Sequence, residues 1–172
     1  MASARVLLKS AVFTLLVPFT LAVGIPRLLV KYRPHPALPL SRPVSRLAGG
    51  ISMVFGVLIY LHTTVRFAEK DGTPSPTDEP EELVTAGLYG YCRNPMYVGV
   101  LLVVFGQALW YRSVAVCWWA VGCWIGFHNR VIGWEEPHLA EKHGEAYEAY
   151  RAAVPRWGIR LDGTHAPRTD SS

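Results

Sequence analysis

Two apolar segments, residues 95–110 and 114 to about 132, are separated only by the tripeptide YRS. A link that short between two long apolar runs makes them an antiparallel helical hairpin. Trp110, Tyr111 and Arg112 at the predicted tip are residue types that prefer the membrane interface, so the tip is expected to reach one membrane face. The first arm is ~24 Å long at ~1.5 Å per residue, against a hydrocarbon core of ~30 Å. Its start therefore lies in thinned bilayer or under a protein cover.

Two more apolar segments precede the hairpin, at about residues 6–25 and 47–67. With 51% hydrophobic and 17% charged residues in 172, arranged in blocks, the chain reads as an all-α, polytopic integral membrane protein. Four crossings of about 20 residues each nearly exhaust it, which leaves no room for a separate soluble domain. Three regions are expected: an N-terminal membrane helix and basic loop at 1–46, a membrane core at 47–157, and a polar, disordered tail at 158–172. Arg5 and Lys9 resemble the start of a secretory signal, but the apolar stretch after them exceeds the usual h-region, so segment one is read as a retained helix kinked at Pro18.

The net charge of +4 does not imply nucleic acid, because no basic run is interleaved with aromatics and most arginines flank apolar segments. With both termini cytoplasmic, eleven Lys and Arg fall on that side and six on the other. That count favours a cytoplasmic C-terminus in an inner or plasma membrane, although five of the six crowd into the first loop. Cys92, Cys117 and Cys123 form no CxxC pair and read as buried or lipid-facing thiols.

Chemistry is concentrated where the hairpin opens. In "YCRNPMY", Asn94 and Pro95 are a strong N-cap and a favoured first helical residue. Arg93 adds a full charge beside the unpaired N–H groups, a combination suited to a carboxylate or phosphate. Folding the hairpin about residue 112 sets Arg93 and Asn94 opposite residues near Arg130, and Tyr97 opposite Phe127, so "HNRVIGWEEPH" lies beside "YCRNPMY". Glu135 and Glu136 then face Arg93, either as acids opening a surface helix or as part of a site for a zwitterion such as S-adenosylmethionine. Gly99, Gly106, Gly122 and Gly126 are expected to pack the hairpin closely, with Gly99 also able to make room for a cofactor. His128 and Asn129 read as interfacial polar groups, and no metal site is expected because no second ligand stands at a suitable spacing.

Before the hairpin, "EKDGTPSPTDEPEELVTAGLYG" should be irregular up to about Leu83. After it, Leu139, His143, Tyr147, Tyr150 and Val154 form an amphipathic stripe, with Gly144 as a possible divider and Pro155 as the stop. The stripe either lies on the membrane or folds back over the hairpin mouth as a lid.

On "GTPSP", "LVTAGLYGYCRNPMYVG", "WEEPHL" and "HGEAYEAYRAAVPRW", spread over roughly residues 48–157, the chain resembles the isoprenylcysteine carboxyl methyltransferase family, which also embraces phospholipid methyltransferases. The resemblance implies S-adenosylmethionine as cofactor, held between the hairpin and a covering tail. It places Arg93, Asn94, Pro95, Met96, Tyr97, Gly99, Glu135 and Glu136 at the cofactor, with Glu135 and Glu136 as candidate catalytic groups. Tyr147, Tyr150 and Arg156 match a recurrent tail pattern with a substrate or lid role. Asn94 stands where the eukaryotic carboxyl methyltransferases have His, and Gly90 where many relatives have a basic residue, departures that bear on the acceptor more than on the cofactor. The acceptor is expected to be lipidic or small and apolar: a prenylcysteine-like carboxylate, an aminophospholipid or a thiol. Two other readings are an NADPH-dependent reductase of the sterol-reductase type, which is usually longer than this chain, and a non-catalytic membrane scaffold, against which the joint presence of Arg93, Tyr97, Glu135 and Glu136 argues.

Overall fold

A computed structural model describes residues 4–32, 36–70, 72–73 and 80–159. Its elements are α1 (Ala4–Leu16), α2 (Ile25–Tyr32), α3 (Arg42–Ala68), a 3₁₀ turn (Gly87–Gly90), α4 (Pro95–Tyr111), α5 (Val114–Arg130), α6 (Glu136–His143) and α7 (Glu145–Ala153). Among the described residues there is no strand, only an isolated bridge between Ala37 and Ser113. The last thirteen residues, most of the tail expected to be disordered, lie outside the described residues, as do 74–79 of the acidic loop.

Helix α3, at 27 residues, is the described helix long and apolar enough to cross a membrane, while α4 is apolar but only 17 residues long. These two form the spine. A Cβ placed on Gly49 would come within 2.6 Å of the Gly106 carbonyl oxygen, and one on Gly56 within 2.6 Å of that of Gly99. The reverse additions meet Gly49 and Gly56 at 2.7 and 2.8 Å, so backbone lies on backbone at both levels. Between them Ser52 donates to the Leu102 carbonyl at 2.8 Å, and Ser45 donates to that of Leu109 nearer the tip. The glycines of the hairpin therefore divide differently from expectation. Gly99 and Gly106 pack against α3 rather than α5, and Gly122 and Gly126 face open space.

The hairpin itself is as predicted. Arg112 takes a left-handed conformation at φ 53° to end α4, and the Ser113 side chain accepts from the Val116 N–H to cap α5. Loop residue Leu38 binds the tip, its N–H donating to the Arg112 carbonyl at 2.8 Å while the Arg112 guanidinium donates back to the Leu38 carbonyl.

Segment one runs further than its apolar core, to Tyr32, and is distorted near the expected kink, with a turn at Val17 and helical backbone on both sides of it. After Val17 and Pro18 the backbone widens into a π-turn at Thr20–Gly24 before α2 begins. Pro26 has no N–H, so one carbonyl a helical turn before it lacks its usual donor. Side chains of the hairpin donate in this region: Gln107 to the Ala22 carbonyl, and the Trp119 indole to that of Leu21 at 3.0 Å. These two bonds to backbone acceptors beside the proline fix the first segment against α4 and α5.

Candidate functional site

The sequence "FHNRVIGWEEPHL" does not end one helix and start another. Helix α5 passes through a π-turn, Val131–Glu135, directly into α6, with helical backbone at Arg130, Glu135 and Glu136. The two glutamates are thus inside a continuous helical run, and the expected helix N-terminus at Glu135 is absent. Pro137 accounts for the widened turn, since its missing N–H removes one α-helical hydrogen bond. Asn94 likewise holds the N-cap position of α4, with Pro95 following, but its side chain makes no capping bond. The amide instead donates to the Arg156 carbonyl at 3.1 Å.

That bond belongs to a dense seam between residues 92–94 and the end of the tail. The Arg93 N–H donates to the Pro155 carbonyl at 2.9 Å, and its Nε donates to that of Val154 at 3.0 Å. Glu136 closes the seam. Its Oε1 accepts from Arg93 Nη1 at 2.6 Å, while Arg156 grips both oxygens through Nε at 2.6 Å and Nη2 at 2.8 Å. The Glu136 side chain is only 9% exposed, so the pairing acts with little solvent screening. Burial alone would raise its carboxyl pKa, but the hydrogen bonds and charges of Arg156 and Arg93 outweigh burial and hold it below the usual range. Beyond the seam, the Trp157 indole donates to His128 Nδ1 at 3.0 Å, and His128 stacks on Trp124.

The amphipathic stripe folds back over the mouth. Tyr147, Tyr150 and Val154 are buried together with Leu83 and Leu139 packed on them, and the Tyr150 hydroxyl donates to the Tyr89 carbonyl at 2.8 Å. Gly144 divides the stripe at φ 54°, ψ −128°, a conformation only glycine adopts readily.

Under this roof lies a cavity of about 500 Å³, within the ~300–1,000 Å³ usual for small-molecule sites. Of the residues singled out from sequence, Arg93, Asn94, Met96, Tyr97, Glu135 and Tyr150 line it. Pro95, Gly99, Glu136, Tyr147 and Arg156 do not: Gly99 is turned onto α3, and the others set the helix start or hold the tail. Tyr97 stacks on Phe127 with ring centroids 4.6 Å apart, the juxtaposition the hairpin geometry implied, and its hydroxyl donates to Glu135. Arg130 donates to the same carboxylate at 2.8 Å and lies over the Trp134 ring. Tyr60, Arg130, Trp134 and His138 are cavity residues that the sequence reading did not select. The last three recur every fourth residue, and Trp134 stacks on His138 with centroids 5.0 Å apart, so helical spacing run through the glutamates would have found them. At the apolar end, Val17, Pro18 and Leu21 bring the distorted turn of the first segment into the wall.

The candidate site is thus a roofed cavity between the first segment, the helical hairpin and the tail, with both acidic and basic groups in its lining. A family model described as phospholipid methyltransferase matches residues 44–146, and the chain belongs to that family. Over 80 residues it is also 39% identical to the protein-S-isoprenylcysteine O-methyltransferase of Schizosaccharomyces pombe. That alignment covers 46% of this chain but only 33% of the yeast protein, so the match spans about a third of the relative's length. No solved structure matches the chain.

Proposed function

We propose that the protein is a multi-pass membrane methyltransferase that transfers a methyl group from S-adenosylmethionine to a lipidic or small apolar acceptor in the roofed cavity. The observation that carries this reading is the cavity's two-ended lining. Arg93, Asn94, Arg130 and Glu135 stand at one end, and Val17, Pro18, Leu21 and Val100 stand at the other. The donor set fits a zwitterionic nucleoside cofactor: Arg93, Asn94 and Arg130 suit its carboxylate, Glu135 its ammonium or ribose hydroxyls, and the aromatic faces of Tyr97, Phe127 and Trp134 a sulfonium or purine. When bound, S-adenosylmethionine supplies a methyl carbon already activated by the sulfonium, so the protein's task is alignment and exclusion of water. The roof of α6 and α7 excludes water, and the Tyr97–Glu135–Arg130 set fixes the polar end. Glu136 is held by two guanidiniums off the cavity, whereas Glu135, though bound by Arg130 and Tyr97, is on the cavity wall and is the carboxylate placed to take a proton from an amine acceptor. A carboxylate or thiolate acceptor would need no base.

The membrane reading extends the observed helices to four crossings, by the first segment, α3, α4 and α5, with both termini on the cytoplasmic side. A reporter fused to the C-terminus checks the orientation, and an extracytoplasmic signal reverses it. Calorimetric titration of the detergent-purified protein tests the chemistry. Saturable binding of S-adenosylmethionine and S-adenosylhomocysteine, with no binding of NADPH, is the expected result. Binding of NADPH instead would support the reductase reading, and binding of none by folded protein would support the scaffold.

A further inference from the structure

The charges of this chain are sorted by end. Residues 1–68 and 83–134 contain no aspartate or glutamate, so every acid lies at 69–82, at 135–148 or beyond 158. In the structure Glu69 pairs with Arg66, Glu82 with Lys70, Glu135 with Arg130 and Glu136 with Arg93 and Arg156. The opposite end is built from the last turns of α2, the first turns of α3 and the hairpin tip, tied together by the Leu38–Arg112 hydrogen bonds. Arg27, Lys31, Arg42, Arg46 and Arg112 gather there, the first four exposed, in sequence stretches that hold no carboxylate to balance them.

Like charges brought together repel, so an anion docked at that end is stabilised by all of them. The surroundings favour an amphiphile over a soluble acidic partner. Leu28, Val44 and Leu47 stand exposed among the same cations, at 54%, 60% and 67% of their surface. Arg46 lies over the Trp110 ring at 6.0 Å and Lys31 over the Tyr32 ring at 4.9 Å, which sets aromatic rings at the level of the charges, as at a headgroup boundary. We propose that this end is a docking ring for the phosphates of anionic phospholipid headgroups, with Lys31 and Arg42 at its edge and Trp110 and Tyr32 at headgroup depth. It rests on the membrane embedding of α3 and is independent of the chemistry in the cavity.

The test uses the full chain in a neutral detergent, with thermal unfolding followed after adding phosphatidylglycerol, phosphatidylcholine of the same acyl chains, or inorganic phosphate. Phosphatidylglycerol is expected to raise the midpoint by about 3–5 °C more than phosphatidylcholine, an increment that shrinks when salt reaches about 0.5 M. The double variant Lys31→Gln/Arg42→Gln is expected to lose the increment, while Arg66→Gln/Lys70→Gln at the other end keeps it. The pair Arg27→Gln/Lys31→Gln repeats the measurement should the first variant fold poorly. Equal shifts from both lipids, an equal shift from inorganic phosphate, or an increment that survives the charge removals at the tip end would overturn the proposal.

Discussion

Glu135 and Glu136 are neighbours in sequence with separate work in the structure. Glu135 takes the Tyr97 hydroxyl and Arg130 on the cavity wall, whereas Glu136 is clasped by Arg93 and Arg156 off it. Glu135→Gln is therefore expected to leave the fold intact and weaken S-adenosylmethionine binding on the order of tenfold, one charge-assisted contact of about 1.4 kcal/mol. Calorimetry with thermal unfolding checks both halves. Glu136→Gln should instead cost stability, about 3 kcal/mol, because two guanidiniums lose their buried counter-charge. Its pH dependence has a definite sign. The native carboxyl lies below its ordinary value of 4.5, so its contribution is complete above that pH and is lost as the pH falls through the lowered native value. The gap in unfolding midpoint between wild type and Glu136→Gln should accordingly narrow below about pH 4.5. A sequence reading could see two acids opposite Arg93. It could not see which one the tail would claim, because Arg156 lies twenty residues further on and its approach depends on the fold of α6 and α7.

At the scale of elements, the α3–α4 contact is the most exacting surface. Gly56→Ala would drive a Cβ to 2.6 Å from a backbone oxygen that has no rotamer to move away, and a loss of at least about 2 kcal/mol is expected. Gly122→Ala meets nothing within 4 Å and should be neutral or raise stability by up to about 1 kcal/mol through helix propensity. Thermal unfolding of the two variants separates the roles, and equal losses would contradict the packing. The helices and the hairpin were legible from the blocks of apolar residues, since a three-residue link leaves little freedom. The partner of each glycine face was not. Glycine spacing shows that a face is flat, but which helix lies on it depends on the three-dimensional arrangement of α3 beside the hairpin. The continuity of α5 into α6 was hidden for a related reason: Gly133 and Pro137 look like punctuation, and a single π-turn absorbs the proline without stopping the helix.

For the whole molecule, the tail and the hairpin form one closed unit, with Trp157 on His128 beyond the Glu136 clasp. Removing residues after Ala153 is expected to open the cavity roof, raising hydrogen exchange across 83–90 and 136–153 while α3 and α4 stay protected. The unbroken passage from α5 through the π-turn into α6 has a mechanical corollary. Where the leaflet is thin enough for the hairpin to outrun it, the helices tilt, and where it is thicker the lipid thins around them; a continuous helical run carries such a tilt from one end to the other. Acyl-chain length in the surrounding leaflet thereby becomes an input to the geometry of the roof, and turnover in vesicles of graded thickness should pass through a maximum rather than stay level.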